Sequence, residues 1–325
     1  MVTSNLLIMF SERVGRRALF ASALALTSCA VTDPVIHPTS SPTNRRPTAT
    51  MPSPTMSVPQ ANSLNVEIKL RSTLQKIAEL TGSTEALTAQ INQYDAHISF
   101  LVRPDPMIGE TYTFPQPSPT LVVPTPPADL KTVLAEQLKE ADKIHTKSAL
   151  AHVGKNQPLA LLYASLAVCT TNPLTAVPVA GPGAPTNFAA STREATAKVL
   201  LTQIWALIYA LEVGIGRVSL ASPLRAAGLE RLGEAKRIRD ELLDWPELVK
   251  QPEQLVSYKL SNSMNTDEEI TEVWRNRELK LLSVWGRVMA ASDRKDASYA
   301  LTQMKYQATQ IIRWGTNLPY WPGWV

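Results

Sequence analysis

The chain has 325 residues, 44% hydrophobic and 18% charged, with 25 Pro, 13 Gly, 4 His and 2 Cys. That length suits two domains, the apolar share excludes disorder throughout, and two cysteines exclude a disulfide framework or a four-cysteine zinc site. The net charge of +4, without a run of five basic residues, is a poor footprint for nucleic acid.

Residues 1–28 read as a targeting signal. Arg13, Arg16 and Arg17 form a basic region, Ala18 to Leu26 is a short apolar stretch, and small residues follow before Cys29. Leu26-Thr27-Ser28-Cys29 resembles the lipobox of bacterial lipoproteins, which implies that Cys29 carries the acyl chains. Gly15-Arg16-Arg17 leaves export by the general or the twin-arginine route open. The apolar stretch is far shorter than the ~20 residues of a membrane span. Removal of the signal takes three Arg and one Glu and lowers the net charge from +4 to +2. The expected address is the cell membrane, with the chain lipid-anchored on its extracytoplasmic face.

Residues 29–62 are rich in Pro, Ser and Thr and are expected to be a disordered tether, ~30 Å long as a coil and up to ~100 Å as polyproline II. Leu70, Leu74, Ile77 and Thr81 then step at helical spacing and end at Gly82, a residue suited to helix termination. Leu87, Ile91, Tyr94, Ile98 and Leu101 repeat the step. A Pro-rich crossover at 103–129 leads to a third stripe, Leu130 to Ser148. A fourth, Leu159, Leu162, Leu166 and Cys169, follows Pro158. These four amphipathic helices predict a bundle over 63–170.

Residues 171–190, with Gly181-Pro182-Gly183, are the expected domain linker. Ser191-Thr192-Arg193-Glu194 has a capping-box pattern and opens a helix bearing Leu200, Ile204, Leu207, Leu211 and Ile215. Ser222-Pro223 starts a helix with Ala235, Ile238 and Leu242. Thr266-Asp267-Glu268-Glu269 caps one with Ile270, Val273, Arg277, Leu281, Val284 and Val288. Ala300, Met304, Ala308 and Ile311 mark the last, which stops near Gly315. No segment shows a sustained period of two. The chain is expected to be all-α, with two four-helix units behind the signal peptide and tether, the second spanning 191–325.

The second unit resembles the ferritin-like domain of unknown function found in actinobacterial secreted proteins and lipoproteins. The matching stretches are 205–214 (Trp205 to Gly214), Arg237 to Leu242, Arg277-Glu278-Leu279-Lys280 with Trp285, and Arg313-Trp314-Gly315 with Trp321. The resemblance covers about 192–325 and implies a ferritin-like bundle; the family has no established activity. The bundle at 63–170 looks like the helical region that commonly precedes it.

A ferritin-like fold raises the question of a di-iron centre, which takes inward Glu residues and Glu-x-x-His pairs. No Glu-x-x-His occurs, and the four histidines are His37, His97, His145 and His152. Glu212, Glu241 and Glu278 remain as carboxylates that could converge, with Arg237, Arg239 and Arg277 as their expected ion-pair partners. In the first unit Asp142 and His145 share a helix face, Asp95 and His97 lie on another helix, and His152 is two turns beyond His145. These are candidate ligands for a mononuclear site, or members of a solvated polar face. There is no Gly-rich phosphate loop and no Gly-x-Ser-x-Gly elbow. Cys169 is expected to be buried, with an intermolecular disulfide as the alternative. The segment Tyr320-Trp321-Pro322-Gly323-Trp324 either wraps onto the bundle or presents a patch to a partner. No catalytic residue and no cofactor are expected. The leading reading is a non-catalytic binding or scaffold protein at the cell envelope. The alternative is a ferritin-like metalloprotein binding or oxidising a metal through helix carboxylates, and small-ligand binding between helices is a third.

Overall fold

The computed structural model describes residues 55–108, 113–117, 127–172, 176–181 and 183–324. The expected signal peptide, Cys29 and most of the expected tether lie outside them. The described residues are all-α and contain eight α-helices: α1 (Val58–Thr81), α2 (Glu85–Leu101), α3 (Pro127–His152), α4 (Gln157–Cys169), α5 (Arg193–Arg217), α6 (Pro223–Leu243), α7 (Asp267–Ala291) and α8 (Arg294–Arg313), with a 3-10 turn at Pro246–Leu248.

Helix starts follow local chemistry. Thr84, Asn156 and Thr266 each accept a hydrogen bond from the backbone N–H three residues on, which satisfies a donor that has no partner inside the helix. Two expectations shift by a few residues. Helix α1 begins at Val58 behind Ser57, inside the expected tether, because Pro59 is tolerated in a first turn where its missing N–H costs nothing. Helix α5 is capped by Thr192 rather than Ser191, with Ala195 N–H donating to Thr192 Oγ1 at 3.2 Å. At the other end of the chain, α8 closes in a Schellman turn. Gly315 N–H donates to Ile312 O and Thr316 N–H to Ile311 O, with Gly315 at φ 72°, a conformation that costs any other residue a steric penalty.

Helix α1 packs on α2 and α3, α3 on α4, α5 on α6 and α7, and α7 on α8. The expectation of two separately packed units, divided at 171–190, differs from the structure: α4 packs on α7 and α8 as well as on α3, and residues 53–325 form one unit. Every residue of α4 from Ala160 to Cys169 is buried. A helix apolar on all sides is stable only with neighbours all round, so α4 becomes the shared core element. Its Leu161 meets α7 at Gly286, where a Cβ would come within 2.6 Å of Leu161 Cδ1.

The chain end reinforces the junction. Val179 N–H donates to Leu318 O and Tyr320 N–H to Val179 O, so part of the expected linker pairs with the C-terminal strap. Trp321 and Trp324 are each 4% exposed. Helix α5 is long and apolar enough to cross a membrane by length and composition, but Leu200, Ile204, Trp205, Leu207 and Leu211 are buried inside this fold. A smaller core of Leu70, Leu74, Tyr94, Leu130 and Leu134 lies between α1, α2 and α3.

A shared core predicts one unfolding event. In a chain carrying Cys29→Ala, urea unfolding followed by the tryptophans, all at or beyond position 205, should coincide with exposure of the Cys169 thiol. Leu161→Ala should lower both by about 2–5 kcal/mol. Exposure of Cys169 in a separate, earlier transition would contradict the shared core.

Candidate functional site: two buried charge clusters

Helices α1 to α4 bring one group of ionisable side chains into their interior. Glu67, on α1, is 1% exposed, and His97 of α2 and His145 of α3 are fully buried. The Glu67 carboxylate divides between them: Oε2 lies 2.7 Å from His97 Nδ1 and Oε1 2.7 Å from His145 Nε2. His145 Nδ1 faces Ser63 Oγ at 3.2 Å. His97 Nε2 lies 2.8 Å from the Tyr320 carbonyl oxygen, and the His97 ring is 4.6 Å from that of Trp321.

The partners and the lowered Glu67 pKa together set the proton inventory around His97. A carbonyl oxygen only accepts, so His97 Nε2 carries a hydrogen; an ionised carboxylate only accepts, so Nδ1 carries the other. His97 is therefore an imidazolium paired with an ionised Glu67. Burial alone would lower the His97 pKa, but the Glu67 charge and the contacts with Cys169 and Glu67 raise it to about 10. Burial likewise favours protonated Glu67, yet the two imidazoles hold it at about 2. An unpaired charge at this depth would cost several kcal/mol.

Cys169, at the end of α4, completes the cluster. It is 3% exposed; its Sγ accepts from Gln93 Nε2 at 3.2 Å and lies 3.9 Å from His97 Nε2 and 3.5 Å from Tyr320 O. Cysteine, histidine and glutamate thus lie in the order of a nucleophile, a base and an orienting carboxylate. The chemistry does not follow from the order. Burial raises the thiol pKa, His97 Nε2 is committed as a donor to Tyr320 O, and the cavity reaching Cys169 past Gln93 and Tyr94 holds only about 10 Å³, room for about one water. The cluster holds protons in place and joins α1, α2 and α3 to the C-terminal strap.

The second cluster lies among α6, α7 and α8. Arg231 and Glu278 are both fully buried and form a two-pronged pair, Nε to Oε1 at 2.8 Å and Nη2 to Oε2 at 3.0 Å. Gln307 Nε2 donates to Glu278 Oε2, and Trp314 Nε1 donates to Oε1 at 3.4 Å. Burial works against the Arg231 charge, but Glu278 more than compensates and raises its pKa. The guanidinium fork matches a carboxylate in shape as well as charge.

The candidate residues go to different places. Glu278 is interior, but its partner is Arg231 rather than Arg277, which donates to the Lys259 carbonyl. Glu212 pairs with Lys236 at 2.8 Å on the surface. Glu241 pairs with Arg237 and accepts from Tyr299 Oη at 2.9 Å, also at the surface. The three carboxylates do not converge. Asp142 turns to Lys305 of α8 while His145 turns inward, so those two do not share a site. Asp95 pairs with Arg71 at 3.0 Å. His152 Nδ1 meets the Ser148 carbonyl at 2.8 Å. Among the described residues, no three His, Cys, Asp or Glu side chains are grouped so as to hold a metal ion. Cys29 lies outside those residues. No protein-family model, curated protein or solved structure matches the chain.

Sequence reasoning missed Glu67 and Arg231, although a signal was present. Extending the stripe Leu70-Leu74-Ile77 one step back reaches Glu67, and extending Ala235-Ile238-Leu242 back reaches Arg231. At these two positions the helix cannot turn the charge outward without exposing the rest of its stripe, so the charge is buried with a partner.

Two outcomes follow from these clusters. His97, raised above its ordinary 6.5 to about 10, contributes stability fully below pH 6.5 and loses it as pH rises through 10. Unfolding free energy should therefore fall by roughly 1.4 kcal/mol per pH unit between about pH 7 and 9, a slope that His97→Gln removes. For the second cluster, Arg231→Met should destabilise the chain by about 3–5 kcal/mol by stranding Glu278, and Arg231→Met with Glu278→Leu should recover most of the loss. Chemical denaturation measures both; a double variant as unstable as the single one would contradict the pairing.

Proposed function

We propose that this chain is a lipid-anchored, extracytoplasmic helical protein with a binding or scaffold role rather than a catalytic one. The observation carrying the reading is that each buried ionisable cluster is closed and neutralised from within. Glu278 is held by Arg231 and Gln307, and Glu67 by His97 and His145. A catalytic centre needs a reacting group within reach of a substrate, whereas about 10 Å³ at Cys169 admits none.

The ferritin-like reading of 192–325 stands as a proposal alongside it. Its support is four helices with a polar cluster in their middle. In ferritin-like metal sites the inward carboxylates are free to ligate; here the inward carboxylate of α7 meets a guanidinium of α6. That substitution favours a bundle that keeps its architecture without a metal centre. The anchor reading rests on Leu26-Thr27-Ser28-Cys29 and the basic and apolar stretches before it.

Fractionation and metal analysis of one preparation test both parts. The full chain should enter the detergent phase with membranes, and Cys29→Ala should release it, since acyl chains and not the folded helices hold it there. The purified protein should hold well under one equivalent of iron or manganese. Unchanged membrane partitioning of Cys29→Ala would contradict the anchor. Stoichiometric metal lost on replacing Glu212 and Glu278 together would overturn the non-catalytic reading in favour of the metalloprotein.

A further inference from the structure

A groove on the outer face between α5 and α7 has a composition that the two clusters do not explain. Phe188, Thr196, Val199, Val284 and Arg287 line a cavity of about 290 Å³, near the low end of the ~300–1,000 Å³ typical of small-molecule sites. Its walls are mainly apolar, and Val199 is 49% exposed although it belongs to the most apolar of the long helices. A valine left open in the wall of a concavity is surface that an apolar ligand would cover.

Arg287 supplies the polar end. It is half-buried, its guanidinium carbon lies 3.5 Å from the centroid of the Phe188 ring and 5.8 Å from that of Trp324, and among the described residues no carboxylate lies within ion-pair distance of it. Burial lowers its pKa without an opposing negative charge. Glu194, which precedes the groove residue Ala195 in the chain, is occupied by Lys198 at 2.5 Å. Stacking uses the face of a guanidinium and leaves the N–H groups at its edge directed outward in the ring-parallel plane. Those edge donors match a carboxylate, which can accept two of them side by side.

We propose that this groove binds a short amphipathic carboxylate, its head group on the edge of Arg287 and its apolar chain along Phe188, Val199 and Val284. The site gives the binding role proposed above a ligand class and rests on that reading. The chain of the ligand removes Val199 and Val284 from water, and the head group neutralises a cation that has no counter-charge among the described residues. Binding is therefore selective on both counts: an uncharged chain of equal length lacks the head contact, and a short carboxylate without a chain lacks the apolar one.

Titration calorimetry with decanoate, on the full-length chain carrying Cys29→Ala so that no acyl group on that residue competes, tests the site independently of how the chain is anchored. Decanoate should bind at least tenfold more tightly than decanol and acetate. Arg287→Gln should weaken decanoate at least tenfold, with Arg287→Lys in between because it keeps the charge and loses the fork. Val199→Glu, at an exposed position, should abolish decanoate binding without changing the melting temperature of the free protein, which keeps the test valid if an Arg287 variant fails to fold. Absence of decanoate binding, equal affinity for decanol, or unchanged affinity in Arg287→Gln or Val199→Glu would overturn the site. None of those results bears on the membrane partitioning of the chain.

Discussion

Burying a carboxylate among helices is the constraint on which the rest of this structure depends. Glu67 and Glu278 are almost entirely withdrawn from water, and a carboxylate at that depth needs a cation in contact. Each is answered from a different helix, Glu67 by His97 of α2 and Glu278 by Arg231 of α6. The pairings impose register. Sliding α2 along α1, or α6 along α7, by one turn would replace a satisfied pair with two stranded charges, whereas an aliphatic interface tolerates such slips at modest cost. The His97 cluster extends this to the chain terminus, because the same imidazolium donates to the Tyr320 carbonyl and lies against Trp321.

The apolar core transmits that order across the molecule. Helix α4 contacts α3 on one side and α7 and α8 on the other, and its Cys169 end touches the Glu67 cluster while Leu161 enters the space kept open by Gly286. One short helix thus belongs to both halves. The Val179–Pro319 pairing and the burial of Trp321 and Trp324 close the same seam. With its charged groups consumed in such internal contacts, the interior offers little to a substrate. Arg287, which has no ion-pair partner among the described residues, lies instead in a surface groove, which is where a binding role would be exercised.

Much of the fold is legible in the sequence, for identifiable reasons. All eight helices announce themselves by apolar residues at steps of three and four, and Thr266, Ser222 and Gly315 mark ends by chemistry that needs no tertiary information. What escapes is where two signals compete. Reading α4 as a single stripe of Leu159, Leu162, Leu166 and Cys169 overlooks that Ala160, Leu161, Tyr163 and Val168 make it apolar all round, the pattern of a central helix. On α7, the stripe Ile270-Val273-Arg277-Leu281 is one of two adjacent phases; Ile270, Val273 and Leu281 are buried, but the interior also takes Trp274, Glu278 and Trp285 and leaves Arg277 half-buried, because two tryptophans carry far more apolar area than one arginine. Which cation answers each buried carboxylate is not local information at all. Arg231 is 47 residues from Glu278 and His97 is 30 from Glu67, and only the packing of helices brings them together.

The charge state of His97 carries the account, since its two donated hydrogen bonds tie α1, α2 and the C-terminal strap into one cluster. Nitrogen-15 NMR of the histidine side chains in the folded protein at about pH 8 reads it directly. The structure predicts that both nitrogens of His97 resonate as protonated imidazolium, well above the pH at which a free imidazole of pKa ~6.5 has lost its proton. A His97 ring with one unprotonated nitrogen at that pH would contradict the paired charge and, with it, the explanation of why Glu67 can be buried.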